Sequence, residues 1–381
     1  MKLGDICSKI GSGATPRGGK ESYKDSGTPI IRSQNVLDWS FSSDGLAYLD
    51  DEQACALSNV EVKPRDVLLN ITGDSVARAC IVPNEFTPAR VNQHVSILRT
   101  NSRSNPVFLL AWLQTNKPLL LSLASSGATR NALTKMMLEK LDINLPPIDV
   151  QERIAGIVLS IQSKIEANTK LNGYLAEQCE GIVEHQTGDV VALASLCGLA
   201  SERVDCREAD IATYVSTESL LPAKMGKQTA STLPQAGKVA VYKAGDTLVS
   251  NIRPYFKKIW YADRSGTCSG DVLVFRANQP EHAGYLYSCL RQDRFFDYVM
   301  KGAKGTKMPR GDKKQMLTYE IVNSPSAAAI GAIQTALEQI SIANKENDSL
   351  AALRDALLPK LMSGEIDVSK VDLTQLNSHL A

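Results

Sequence analysis

The 381-residue sequence states one pattern twice, and that repetition limits what the chain can fold into. Lys63-Pro-Arg-Asp66-Val-Leu-Leu-Asn70-Ile-Thr72 returns about 180 residues later as Lys243-Ala-Gly-Asp246-Thr-Leu-Val-Ser250-Asn-Ile252. Further matches follow in the same order. Gln93-His-Val-Ser-Ile-Leu-Arg99 returns as Gly270-Asp-Val-Leu-Val-Phe-Arg276, and Ser126-Gly-Ala-Thr129-Arg130 as Ala303-Lys-Gly-Thr306-Lys307. Each copy closes on a prolyl segment, at 144–147 and 322–325, and then a long helical pattern. A repeat this long exceeds any solenoid unit and implies two similar globular domains, each trailed by a helix. Two like modules on one chain suit a partner that itself offers two sites.

Composition adds mild bounds. With 43% hydrophobic residues there is apolar material for two ordinary cores. Lys+Arg 42 against Asp+Glu 41 leaves a net charge of +1, so any nucleic-acid contact must come from local clustering. The cysteines at 7, 55, 80, 179, 197, 206, 268 and 289 form no Cys-x-x-Cys and have no nearby His pair. They read as reduced core thiols, without metal or disulfide duty. The first residues carry no apolar signal region, and the longest apolar run, 190–200, is too short to span a bilayer. A soluble, cytoplasmic chain is expected.

Residues 1–148 and 187–324 alternate short apolar strands with turn residues, each interrupted by one helix, through 106–113 and 285–290. The expected fold class is mixed α/β (α+β), two similar domains joined by two long antiparallel helices in a pseudo-two-fold repeat. The first helix is placed at 149–186, where Asp149-Val-Gln-Glu152 reads as a capping box before a stripe at Ile154, Ile157, Ile161 and Ile165. The second occupies 325–364, opening on Ser324-Pro325, with Pro359 and Gly364 closing it and a tail at 365–381. A stripe on a long helix must be buried, and the other copy of the helix is the expected partner. Such a pair would hold the two domains apart.

No catalytic constellation emerges. Residues 11–20 resemble a phosphate cradle, but Glu21 follows Lys20 where a P-loop needs Ser or Thr, and Pro16 stands where a dinucleotide fingerprint needs glycine. Asn144-Leu-Pro-Pro147-Ile approaches an amino-methyltransferase motif but has an extra Leu and leads into a helix, so it reads as a domain exit. Glu61-Val-Lys63 behind Asp50 and Asp51 is too short a pattern to mark a nuclease, and the four histidines are dispersed.

What stands out is local cation clustering. The segment 301–314 packs six cations among three glycines, a composition able to grip phosphates through charge and backbone N–H groups. Lys304, Thr306, Lys307 and Arg310 are its candidate contacts, with Thr129 and Arg130 in the first copy. Arg32, Gln34 and Asn35 sit at a strand end whose counterpart carries Ser216 and Glu218; Arg, Gln and Asn can read purine edges and Glu can accept from cytosine. Asn251 and Arg253 open a segment, 251–258, that joins cations to aromatics.

The chain resembles the DNA-specificity subunit of type I restriction–modification systems over nearly its whole length. The resemblance is carried by Gly13-Ala-Thr-Pro16 with Tyr23 and Pro29-Ile-Ile31, Arg65-Asp-Val-Leu-Leu69, Asn92 to Arg99, Gly127-Ala-Thr129, and Pro146-Pro147 leading into Gln151-Glu-Arg-Ile154. In the second half it rests on Tyr214-Val-Ser-Thr-Glu218, Tyr255-Phe-Lys-Lys-Ile-Trp260, Cys268-Ser-Gly-Asp-Val272 and Leu357-Leu-Pro-Lys-Leu-Met-Ser-Gly364. The first domain departs from many relatives in having an aliphatic residue after Pro29, so base contacts there do not carry over. The resemblance implies two target-recognition domains reading the halves of a bipartite site in double-stranded DNA. It also implies two adenine-methyltransferase subunits and restriction/translocase subunits as partners, with no cofactor in this chain and S-adenosylmethionine, ATP and Mg in those partners. The alternative is a duplicated-domain DNA-binding regulator without restriction partners.

Overall fold

In the computed structural model the described residues are 1–16, 18, 22–125, 132–323, 325–372 and 374. They divide into two units, residues 1–166 with the segment beyond 346, and residues 167–346.

The first unit has strands β1 (Cys7–Ser12), β2 (Thr28–Ile31), β3 (Ala47–Leu49), β4 (Glu61–Val62), β5 (Val67–Asn70), β6 (Ala79–Ile81), β7 (Ala89–Val91) and β8 (Val95–Thr100). They form two four-stranded sheets, β1-β8-β5-β6 and β3-β2-β7-β4, with β2 and β7 parallel. β5 is buried at all four positions. Its alternate side chains serve different cores: Val67 and Leu69 join the cluster with the helices, and Leu68 joins the one with Val91 and Ile97. Burial on both faces is why this strand reads as a continuous apolar run. Gly13 follows β1 where a Cβ would lie 1.8 Å from the Val91 carbonyl oxygen, so the Gly13-Ala-Thr-Pro16 segment needs glycine for backbone packing.

The second unit repeats the plan with β9 (Val190–Ala192), β10 (Cys197–Leu199), β11 (Arg203–Asp205), β12 (Lys238–Tyr242), β13 (Thr247–Ser250), β14 (Ile259–Tyr261), β15 (Gly266–Cys268), β16 (Val272–Ala277) and β17 (Glu320–Val322). Its sheet β10-β16-β13-β14 has the same order as β1-β8-β5-β6. One ion pair recurs in both. Asp66, at the turn before β5, accepts from the Lys63 backbone N–H at 2.7 Å and from Arg99 at 2.8 and 2.7 Å. Asp246, before β13, accepts from Lys243 N–H at 2.7 Å and from Arg276 at 2.8 and 2.6 Å. Hydrogen bonding to the carboxylate raises the pKa of each arginine further above its already high range.

The helices are α1 (Leu3–Ile6), α2 (Asp51–Ala56), α3 (Pro106–Thr115), α4 (Lys117–Ser125), α5 (Lys135–Glu139), α6 (Ile148–Glu184), α7 (Ala283–Arg291), α8 (Asp293–Lys301), α9 (Lys313–Met316) and α10 (Ala327–Ser363). α3 starts where the Asn105 side chain accepts from Val107 N–H at 2.8 Å, with Pro106 in the first turn. Among the described residues no single helix is long and apolar enough to cross a membrane.

α6 and α10 run antiparallel within each unit. Val158 packs with Leu358 and Arg354 donates to Gln162 at 3.1 Å in the first unit; Asn168 donates to Glu346 at 2.7 Å and Asn172 to Asn344 at 2.9 Å in the second. The stripe does more than pair the helices. Ile154, Ile157, Ile161, Leu350 and Leu361 enter the first unit's core, while Cys179, Val183, Ile333 and Leu337 enter the second's.

Three terminus assignments need correction. α6 begins at Ile148, so Asp149 lies inside its first turn; the Pro147 carbonyl accepts from Gln151 N–H at 3.0 Å and takes the start one residue earlier. Ser324 lies outside the described residues, and the opening of α10 is capped instead by Ser326 Oγ, which accepts from Ala329 N–H at 3.1 Å. Pro359 sits within α10, which continues to Ser363 because Leu358 and Leu361 are buried on either side of it, and Gly364 (φ +78°) follows its end.

Replacing Asp66 by Ala removes the turn's acceptor and strands Arg99. Because Arg99 and Arg276 side chains are 24% and 34% exposed, water partly compensates, and Asp66→Ala or Asp246→Ala should cost about 2–3 kcal/mol in its own unit. Hydrogen exchange of β5 or β13 is the measurement, and unchanged protection would show that the turn holds without the pair. Six of the eight cysteines are buried and Cys55 is exposed. Burial pushes the thiols of Cys7, Cys80, Cys197, Cys268 and Cys289 up to about 12. Maleimide at pH 8 should therefore label one thiol rapidly in the native protein, and Cys55→Ser should abolish that labelling.

Candidate nucleic-acid interface

The strand end at Arg32 and its counterpart at Ser216 are the same turn. The Asn35 side chain accepts from Arg32 N–H at 3.0 Å, and Ser219 Oγ accepts from Ser216 N–H at 2.8 Å, three residues back in both cases. Preceding the turns, the Ile31 carbonyl accepts from Asn92 N–H and the Val215 carbonyl from Ser269 N–H, at 3.0 and 2.9 Å. A neighbouring side chain fastens each turn from below. Asn70 donates to the Ser33 carbonyl at 2.9 Å, and Lys258 donates to the Thr217 carbonyl at 2.6 Å.

This geometry sorts the polar residues. Asn35 is fully buried, and its amide donates to the Ser42 and Asp44 carbonyls at 2.9 and 3.1 Å, so its hydrogen bonds shape the turn. Ser216 Oγ accepts from Glu218 and Ser219 N–H at 3.2 and 3.1 Å. Arg32 donates to the Gly45 carbonyl and lies over the Tyr23 ring at 5.4 Å. Gln34 and Glu218 are the exposed side chains, at equivalent positions. Burial works against the Glu218 carboxylate, yet its pKa is held below the usual range by its own backbone N–H, the Ser216 and Thr217 hydroxyls and Lys258. An ionised Glu218 is an acceptor only.

In the second unit the remaining candidates converge. Ile252 and Lys304 both bridge to Arg310, and Arg253 N–H donates to the Pro309 carbonyl at 2.8 Å. Lys304 and Arg310 exchange backbone hydrogen bonds of 2.9 Å, closing a loop that exposes Thr306 and Lys307. Lys304 reaches Asp312 at 3.4 Å and Arg310 reaches Asp271 at 3.3 Å. These exposed pairs hold little energy and can open toward another anion. Asn251 Oδ1 and Arg253 Nε are buried without a hydrogen-bond partner.

Thr129 and Arg130 lie outside the described residues. The flanks repeat the second unit's arrangement: Ala132 bridges to Thr72, and Leu133 N–H donates to the Ile71 carbonyl at 2.8 Å, as Gly311 N–H does to Asn251 at 3.2 Å.

Sequence reasoning missed the buttress behind this site. Lys224 contacts Glu180 and Asp293, both at 3.1 Å, Lys257 contacts Asp293 at 2.9 Å, and Arg291 pairs with Glu180. Lys257 holds the Asp293 carboxyl below its usual range, and Lys224 assists. The partners lie far apart in sequence, so no local signal reveals them. Among the described residues no group of three or more His, Cys, Asp or Glu could hold a metal ion.

Residues 1–175 match the family model described as type I restriction modification DNA specificity domain. The chain is also similar to a solved type I restriction–modification S subunit from M. genitalium, at 14% identity, with 95% of each chain covered and a TM-score of 0.49. A second similar structure is an HsdS subunit from Thermoanaerobacter tengcongensis, at 15% identity, 96% of each chain and a TM-score of 0.35.

Replacing Lys304, Lys307 and Arg310 together by Ala removes three cations from a loop that no core residue depends on. DNA affinity should fall to a similar degree for cognate and unrelated duplexes, and the slope of log K against log salt should shrink by about 3 × 0.9. Titrations at several salt concentrations measure it; an unaltered slope would mean the loop does not touch phosphates.

Proposed function

We propose, for a chain whose residues 1–175 belong to the type I restriction modification DNA specificity family, that it is the non-catalytic specificity subunit of such a complex. Each unit would read one half of a bipartite duplex site. The observation that carries this reading is the pair of turns and loop flanks built by the same backbone hydrogen bonds at equivalent positions of both units. Adenine methylation requires the base to leave the stack and enter a cofactor pocket. Two methyltransferase subunits would supply that pocket and S-adenosylmethionine, and restriction/translocase subunits would use ATP and Mg. A duplicated chain can offer equivalent surfaces to two identical partners.

Two helix segments of 37 residues each, α6 and α10, would then set the unread spacer between the half-sites. Because polar pairs fix the register, the informative insertion is made in both helices at one level. Four residues after Asn168 and four after Lys345 leave Asn168–Glu346 and Asn172–Asn344 each intact. They add about one turn, roughly 6 Å, or nearly two base pairs at ~3.4 Å per pair.

The chain expressed with its methyltransferase partner should methylate adenines in a two-part motif, and alone it should methylate nothing. In the double-insertion variant the half-sites should persist while the spacer grows by one or two pairs, read by sequencing methylated adenines. Methylation by the purified chain alone would overturn the non-catalytic assignment, and an unaltered spacer in an active variant would overturn the ruler.

A further inference from the structure

One turn has the same backbone in both units and opposite chemistry. After β5 the Val76 N–H donates to the Gly73 carbonyl at 3.1 Å and Asn70 N–H to the Arg78 carbonyl at 2.8 Å; after β13, Phe256 N–H donates to Arg253 at 3.0 Å and Ser250 N–H to Lys258 at 3.1 Å. Both turns are bracketed by left-handed residues, Gly73 (φ +75°) and Ala77 (φ +67°) in one, Arg253 (φ +51°) and Lys257 (φ +51°) in the other. The first turn exposes Asp74 and buries Val76. The second exposes Tyr255 at 48% and Phe256 at 39%, their rings 4.7 Å apart.

The second turn is held outward deliberately. Among the described residues, every non-glycine with positive φ in the second unit lies in it or in the facing pair Ala223–Lys224. That pair donates backbone hydrogen bonds of 2.9 Å to the Phe256 and Lys257 carbonyls. Left-handed arginine, alanine and lysine carry strain that glycine would avoid. The surrounding contacts hold that strain in place: the Pro309 carbonyl on Arg253, and Asp293 on both Lys224 and Lys257. The rim is cationic, with Lys304, Lys307 and Arg310 on the bridged neighbouring loop.

We propose that Tyr255 and Phe256 read a thymine C5-methyl group in the major groove of the second unit's half-site. This rests on the DNA-reading assignment above and deepens it. A cationic rim selects a polyanion, and the apolar group that a base pair offers in the major groove is the thymine methyl. Two exposed rings on a turn bridged to such a loop gain from burying that methyl and gain nothing from phosphate. In the first unit the turn presents Asp74, an acceptor, so the two half-sites are read by different chemistry on one backbone plan.

The test uses the full chain with its methyltransferase partner and the duplex motif that the complex methylates. Each half-site then contains at least one A·T pair. Uracil replaces every thymine of one half-site or the other, which deletes the methyl and keeps the pairing. Substitution in one half-site should weaken binding about fourfold for each methyl contacted. Tyr255→Ser with Phe256→Ser, both exposed and outside the core, should bind the thymine and uracil duplexes alike. Indifference of both half-sites to uracil, while the motif is still selected over unrelated DNA, overturns the inference and spares the DNA-reading assignment. An equal loss on both duplexes in the variant overturns it in favour of a backbone contact or an aromatic wedge. Loss of the methyltransferase from the variant complex overturns it in favour of protein docking. If the wild-type complex does not select the motif at all, the DNA-reading assignment falls and the inference with it.

Discussion

The ion pair between a turn aspartate and the neighbouring strand's arginine fixes where each unit's central strand begins. Asp66 and Asp246 are nearly excluded from water, and each spends its two oxygens on an arginine fork and a backbone N–H. A fork that meets both carboxylate oxygens tolerates little sliding. The strand that follows cannot slip without exchanging its faces, because Leu68 and Leu69 belong to different cores. The far end of the same strand delivers Asn70 or Ser250 and the turn beyond it. The turn beyond the strand is therefore positioned by an interaction at the opposite end of a four-residue strand.

On that shared frame the two units differ where their side chains leave the backbone. The turn at Ser33 is fastened by the amide of Asn70, at the end of β5, and the one at Thr217 by the ammonium of Lys258, just before β14, at equivalent carbonyls. Exposed Gln34, whose amide donates to the Asp44 carbonyl at 3.3 Å, stands in one unit and ionised Glu218 in the other. Gln offers a donor and an acceptor, Glu acceptors alone, so equivalent positions carry different hydrogen-bonding chemistry. A duplicated backbone with divergent side chains fits the proposed reading of two unlike half-sites.

How much of this was legible in the sequence depends on whether a residue's role is set locally. The aligned Asp66 and Asp246, the strands after them and the loop of 301–314 were legible because the repeat compares each residue with its twin. Asn35 was not, because the same amide suits a base edge or a turn, and the Ser42 and Asp44 carbonyls that claim it come from a later segment. Pro359 looked like a stop because its ring forbids one hydrogen bond, but the burial of Leu358 and Leu361 outweighs that local preference. The segment 251–258 was legible as cations joined to aromatics, but the outward aim of Tyr255 and Phe256 depends on Ala223 and Lys224, about thirty residues upstream, and no local pattern shows it.

The long helices show why a stripe alone cannot define their pairing. Apolar spacings of three and four permit the partner to shift by one turn and bury nearly the same surface. In the second unit Asn168 and Asn172 prevent this, since sliding by a turn would part them from Glu346 and Asn344 and leave polar groups facing aliphatic ones. In the first unit Arg354 has the same effect: it donates to Gln162 and lies over the Trp39 ring at 4.6 Å, joining the helix pair to the loop after the Arg32 turn. Asn172 Oδ1 is itself buried without a partner, a sign that these contacts are not the most stable filling of the interface. Leucine at these positions would bury more apolar area and lose the unique register. Retaining amides there trades stability for a fixed register, which is the property that the proposed spacer role would require.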